Sequence, residues 1–233
     1  MNAPPELERG AAVTGRYAIF CDGRACGEER FEIHATPEGA VVTGEQVLEP
    51  PHPYPSRQEY RVTMTPDGRV TGLEIHWEVG GRLVHATHAA HGGRWHARIE
   101  TGGVTREQEG DFPAAAEVEY PSHLATAFML ARYAFAEGGA HEFPVLRIGP
   151  PWMAVTPERM RLRGAEQGEL LTRFGPVPAR RWVVSLPPRG EDEGYSFWAD
   201  EDGVVLESYE GHDVARPWMR LVEYRRARGH AIA

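Results

Sequence analysis

Apolar and polar residues alternate with period two over most of this chain. Leu73, Ile75, Trp77 and Val79 alternate with Glu74, His76 and Glu78, and Trp95, Ala97 and Ile99 alternate with His96, Arg98 and Glu100. That is the pattern of a strand with one face on a core and the other in water. The same reading predicts strands over residues 16–21, 26–34, 40–48, 58–65, 73–79, 83–90 and 95–101, and again over 141–148, 153–162, 169–174, 179–186, 195–199, 204–209 and 219–224. Turn residues separate them: Thr65-Pro66-Asp67-Gly68, Gly80-Gly81 and Gly92-Gly93 carry the chemistry of tight reversals. The cluster EPPHPYP at 49–55 lacks the amide donors a sheet interior requires.

The helical period occurs once. In PSHLATAFMLARYAF, residues 121–135, the apolar positions Leu124, Ala127, Phe128, Ala131, Ala134 and Phe135 fall at i, i+3, i+4 and i+7 spacings. Ser122 is placed to cap the N-terminus and Gly138-Gly139 to end the segment. The expectation is a mainly β chain: a single curved antiparallel sheet or half-open barrel wrapped around one central helix at about 122–136. A single domain is expected over 15–226, with flexible ends at 1–14 and 227–233. No fixed-period repeat emerges.

Composition narrows the class. The chain has 233 residues, 41% hydrophobic and 25% charged, which suits one globular, soluble all-β unit with ample core material. The net charge is -9, and no basic run exceeds two residues, as at Arg225-Arg226. That argues against a nucleic-acid partner. The first residues, MNAPPELERGAAVTG, lack a basic start followed by an apolar stretch, and no run of about 18 apolar residues occurs to span a membrane. A cytoplasmic location is expected, or a periplasmic one if a leader has been removed. Cys21 and Cys26 flank a turn. A loop over Asp22–Ala25 would let their side chains face each other, whereas a loop of Asp22-Gly23 alone would not pair them. Two reduced cysteines is the plainer reading.

The order of these features resembles a known family. Tyr17-Ala-Ile-Phe-Cys-Asp-Gly23 followed by Gly27-Glu28, the Pro121-Ser122 helix, Glu142-Phe-Pro-Val145 after a Gly-Gly, Phe174-Gly175-Pro-Val-Pro-Ala179 and Phe197-Trp-Ala-Asp-Glu-Asp-Gly203-Val-Val are similar to the bacterial domain-of-unknown-function 3108 family over roughly residues 15–225. The resemblance implies a half-open antiparallel barrel wrapped against a helix, like the carriers that move lipoproteins or lipids in bacterial envelopes. It brings no catalytic residues.

Candidate chemistry therefore comes from the residues. Histidines gather at His76, His85, His88, His91 and His96, and imidazole suits zinc, copper and nickel. Strand geometry sends His85, His88 and His91 to alternating faces, and places His76 and His96 on polar outer faces. A cross-strand pair could supply two ligands, but no third is evident, so no metal site and no cofactor is expected. Glu28-Glu29, Glu74 with Glu78, Glu107 with Glu109, and Glu191-Asp192-Glu193 read as solvated pairs rather than as facing catalytic acids. GxSxG, GxGxxG and GxxxxGK[ST] are all missing from the sequence.

Aromatic residues come from both halves and the helix. A sheet this wide is hard to seal with one helix about 21 Å long, and leftover concave apolar surface marks binding sites. The expected contacts are Tyr60, Trp77, His85, Trp95, Phe128, Tyr133, Trp152, Trp182 and Trp198. The expected function is binding of a hydrophobic or amphipathic small molecule, lipid-like or polyketide-like, between sheet and helix. The alternative is a cyclase, isomerase or hydratase using an acid or histidine in the same cavity, and the oligomeric state is left open.

Overall fold

A computed structural model describes residues 12–120, 122, 124, 126, 129–130, 139–149, 153–187, 194–211 and 216–226. Its strands are β1 (Ala12–Cys21), β2 (Arg24–Thr36), β3 (Gly39–Leu48), β4 (Ser56–Met64), β5 (Val70–Val79), β6 (Arg82–His91), β7 (Arg94–Thr101), β8 (Val104–Asp111), β9 (Glu117–Glu119), β10 (Ala140–Gly149), β11 (Ala154–Thr172), β12 (Gly175–Ser185), β13 (Gly194–Ala199), β14 (Val205–Glu210) and β15 (Met219–Arg226). All fifteen form one sheet, in the order β8-β7-β6-β5-β4-β3-β2-β1-β15-β14-β13-β12-β11-β10-β9. Pairing is antiparallel throughout except between β9 and β10. The sheet does not close: β8 and β9 are its two edges. Across the gap, the Val155 amide of β11 donates to Gln108 Oε1 of β8 at 3.0 Å.

Local chemistry sets the register. Asp22-Gly23, Gly80-Gly81, Gly92-Gly93 and Gly102-Gly103 all have positive φ, so each two-residue loop makes the reversal whose twist matches the strands it joins. Inward side chains then line up in rows across the sheet. One row runs Leu221, Tyr17, Glu29, Gln46, Gln58, Trp77 and Val84. The next contains Tyr224, Gly15, Phe31, Gly44, Tyr60, Ile75, Ala86 and Ile99. In that second row the two glycines sit beneath aromatic rings. A Cβ on Gly15 would strike the ring of Phe31, and one on Gly44 the ring of Tyr60.

The core has two parts. One extends under β1–β7 to Phe112, Val118, Tyr120 and Leu124; the other gathers Phe143, Met160, Leu162, Trp182, Val184 and Phe197 around Met129 and Leu130. Of the expected helix at 122–136, only Ser122, Leu124, Thr126, Met129 and Leu130 are described. All five are buried. The rest of that expectation lies outside the described residues, and no helix is delimited among them.

Three expectations are corrected. The segments expected at 153–162 and 169–174 belong to one strand, β11, because a register shift between Gly164 and Glu166 absorbs the glycine punctuation without ending the pairing. Residues 104–111, which lack apolar alternation, form a strand nonetheless: β8 is an edge, exposed at nearly every position, and its backbone pairs with β7. Cys21 and Cys26 are bridged by a disulfide although the loop is only Asp22-Gly23. A bulge resolves this, because Ile19 pairs with Gly27 while Phe20 pairs with Ala25, leaving Cys26 as the extra residue.

Candidate functional site

The inner face carries a buried acid. Glu29 is fully buried, 0% exposed, on a strand whose neighbouring inward residues are Phe31 and Ile33. No cation meets it. Its Oε1 accepts from Tyr60 Oη at 2.6 Å and from Ser122 Oγ at 2.6 Å, and its Oε2 accepts from Gln46 Nε2 at 3.2 Å. The chain of donors continues sideways: Gln58 Nε2 donates to Gln46 Oε1 at 3.1 Å, and Tyr120 Oη donates to Gln58 Oε1 at 3.1 Å. Register explains the assembly, since Glu29, Gln46 and Gln58 are directly opposed on β2, β3 and β4. Tyr60 lies one row away and lays its ring across Gly44 to reach the carboxylate.

Burial pushes the Glu29 carboxyl above its ordinary 4.5, while the hydrogen bonds from Ser122, Tyr60 and Gln46 pull the other way. Burial likewise raises the phenols of Tyr60 and Tyr120, helped by the negative charge of Glu29. The cluster is a set of neutral donors around one acid in a water-poor place, where hydrogen bonds are strong and unmet groups costly.

Beside it lies an apolar slit. It is lined by Val42, Val62, Met64, Val70 and Leu73 from the strands and by Val118 and Leu124, together with Tyr60, Tyr120 and Ser122, whose hydroxyls belong to the polar cluster. Its volume is about 10 Å³, which is room for one water at most.

The residues expected to line a cavity divide by place. Tyr60, Trp77, Trp95 and Trp182 point inward and are buried, with Trp77 and Trp95 on the same side as expected. Of these, Tyr60 belongs to the polar cluster and lines the slit, and Trp77 is directly opposed to Gln58. Two sit elsewhere. Trp198 is half-buried and shares an outward row with Arg181, Glu207, Arg220, Ala18 and Glu28, because its neighbour Phe197 takes the inward position. His85 faces outward beside Glu74, since Val84 and Ala86 hold the inward positions of β6. Phe128, Tyr133 and Trp152 lie outside the described residues.

Glu29, Gln46, Gln58, Ser122 and Tyr120 were not expected at a site. For Glu29 a signal existed: period-two alternation from Ile33 through Phe31 puts it on the buried face. His88 was also missed. It is 3% exposed, packs against Trp95 with ring centroids 5.6 Å apart, and neither ring nitrogen has a hydrogen-bond partner among the described residues. Burial lowers its pKa to about 4.

No family model and no curated protein matches the chain. Solved structures do. A β-barrel-like protein of the domain of unknown function DUF1849 from Brucella abortus is similar over 94% of this chain and 98% of its own, with a TM-score of 0.58 at 12% identity. A DUF1089 family protein from Pseudomonas aeruginosa is similar over 78% of this chain and 89% of its own, with a TM-score of 0.50 at 16% identity. At such identities the likeness is one of fold. It supports a bacterial β-barrel-like architecture among domains of unknown function, not the 3108 family in particular.

Proposed function

We propose that this protein binds an amphipathic small molecule on the inner face of its sheet, as a carrier or sensor rather than a catalyst. The supporting observation is the Glu29 carboxyl, held by neutral hydroxyl and amide donors, two of which, Tyr60 and Ser122, also line the apolar slit. The polar end of the ligand would meet Tyr60, Tyr120 and Ser122, with Glu29 behind them. Its apolar part would replace the contact between Leu73, Val62 and Val42 on one side and Leu124 and Val118 on the other, so the slit widens on binding. We take the segment around Leu124 to be the expected central helix and its packing against β4 and β5 as the part that yields. Burying about 200 Å² of ligand at about 25 cal/mol per Å² contributes about 5 kcal/mol, enough for binding in the high-micromolar range. The Cys21–Cys26 disulfide suits an oxidising compartment, and the resemblance to the 3108 family, whose implied fold is similar in outline to envelope carriers, belongs to the same reading.

Catalysis by Glu29 is the weaker alternative. Both carboxyl oxygens are already engaged, and the side chain offers no exposed atom to a substrate.

Titration with cis-parinaric acid tests the proposal. Saturable binding is expected, weakened about tenfold in Tyr60→Phe and abolished in Leu73→Trp, whose indole fills the slit. If no saturable binding is seen, and solvent extraction of the gently purified protein yields no organic compound by mass spectrometry, the inner face is packed core and the proposal falls.

A further inference from the structure

On the opposite face of the sheet, two histidines and a glutamate come together. His76 on β5 is directly opposed to His85 on β6, and Glu74, two residues before His76, shares its face. Glu74 Oε1 lies 3.3 Å from His76 Nε2 and 3.3 Å from His85 Nε2. The rings stack with centroids 4.3 Å apart and an interplanar angle of 8°. The three ligand atoms all fall within 4.8 Å of one another.

We propose that Glu74, His76 and His85 form a binding site for a divalent metal ion of the zinc class. The argument is geometric. At 3.3 Å the two imidazole–carboxylate contacts are long for charge-assisted hydrogen bonds, whose usual range is about 2.7–2.9 Å. They match the edge of a tetrahedral zinc site, where ligands about 2.05 Å from the metal stand about 3.3 Å apart. One carboxylate oxygen and two imidazole nitrogens are also the ligand types that zinc takes in three-ligand sites with an open fourth position.

The surroundings agree with this. His85 Nδ1 faces Glu100 Oε2 at 4.0 Å, the carboxylate partner that metal-bound histidines commonly have on their second nitrogen. Glu100 is itself held by Arg98, with Nε to Oε1 at 2.9 Å and Nη2 to Oε1 at 2.8 Å, leaving Oε2 turned to the histidine. Glu59 lies opposite His76 on β4. The parallel rings must each turn about χ to aim both nitrogens at one ion, and their exposure, 58% for His76 and 38% for His85, leaves them free to do so. Open grooves of about 860 Å³ and 880 Å³ meet at His76, so the fourth position is reachable from solvent.

Calorimetric titration of the tag-free protein with Zn²⁺, and of the Co²⁺ form by visible absorption, tests this. One equivalent is expected to bind at a saturable site, with the intense d–d bands of tetrahedral Co²⁺. His76→Ala and His85→Ala should each weaken binding at least tenfold. Glu100→Gln should weaken it by up to tenfold through the turned imidazole, while His96→Ala should leave it unchanged. All four side chains are on the outer face, and circular dichroism verifies that each variant is folded. Absence of a saturable step, octahedral Co²⁺ spectra, or affinity that survives His85→Ala would overturn the assignment.

Discussion

Glu29 carries a pH signature that a solvated glutamate would not. Because burial raises its folded value above 4.5, the folded protein holds this proton more tightly than the unfolded chain does. Its stabilising contribution is complete below the unfolded value and is lost as pH rises through the folded one. Glu29→Gln is therefore expected to match the native protein in stability near pH 4 and to exceed it progressively toward pH 8, as read from urea midpoints. A constant offset at every pH would refute this. His88 acts at the acid end. Its folded value of about 4 lies below its ordinary 6.5, so stability is intact above pH 6.5 and erodes as pH falls toward 4, by about 3 kcal/mol if the full shift is realised. His88→Leu should flatten that limb of the pH profile, and a profile of unchanged slope would count against it. Both residues were legible in the sequence by simple alternation, Glu29 from Phe31 and Ile33, and His88 from Val84 and Ala86. Composition hid them, because an acid in a chain rich in acids, and a histidine among five, read as surface.

Among the elements, the hairpins were readable and the edge was not. A two-residue loop fixes every pairing in its hairpin: Gly80-Gly81 makes opposed residues sum to 161, which sets His76 against His85. The outer-face histidine pair was therefore available from sequence, and Glu74 with it from the i, i+2 rule. By contrast β8 has no buried face to mark it, and β11 conceals its continuity behind a bulge. Cys26 was misjudged for the same reason, since a bulge has no compositional signature when no glycine is needed at it. Element-scale packing is tested at Gly44. Gly44→Ala puts a methyl into the Tyr60 ring, an overpacking expected to cost about 1–3 kcal/mol and to loosen the Tyr60–Glu29 hydrogen bond. A melting temperature within a degree of the native protein would mean the ring gives way freely. The disulfide spans a separation of five residues, so replacing both cysteines by serine should cost only about 2 kcal/mol on the chain-entropy argument, measurable in denaturant titrations with and without reductant.

The whole molecule reads as a mainly β, single-sheet protein from periodicity and turn chemistry alone. The pairing of β1 with β15 could not be read that way, because pairing between distant segments leaves no local trace. Both meanders run outward from the middle of the sheet, β1 to β8 on one side and β15 back to β9 on the other. Nearly every ladder joins strands adjacent in the chain; the pairing of β1 with β15 is the long-range exception that unites them. Arg16, bridging Glu28 and Glu223 at 3.1 and 2.6 Å, and Tyr17, donating to the Val205 carbonyl at 3.1 Å, fasten that junction. The polypeptide is thus built like a bracelet with its clasp at the centre of the ornament. Each arm can zip up from short-range contacts, and the slow event is the meeting of first and last strands across nearly the full contour length, an entropy cost that rises only logarithmically with span. A backbone cut between Pro113 and Ala114, far from the clasp, should consequently leave two polypeptides that find each other and re-form the sheet when co-expressed.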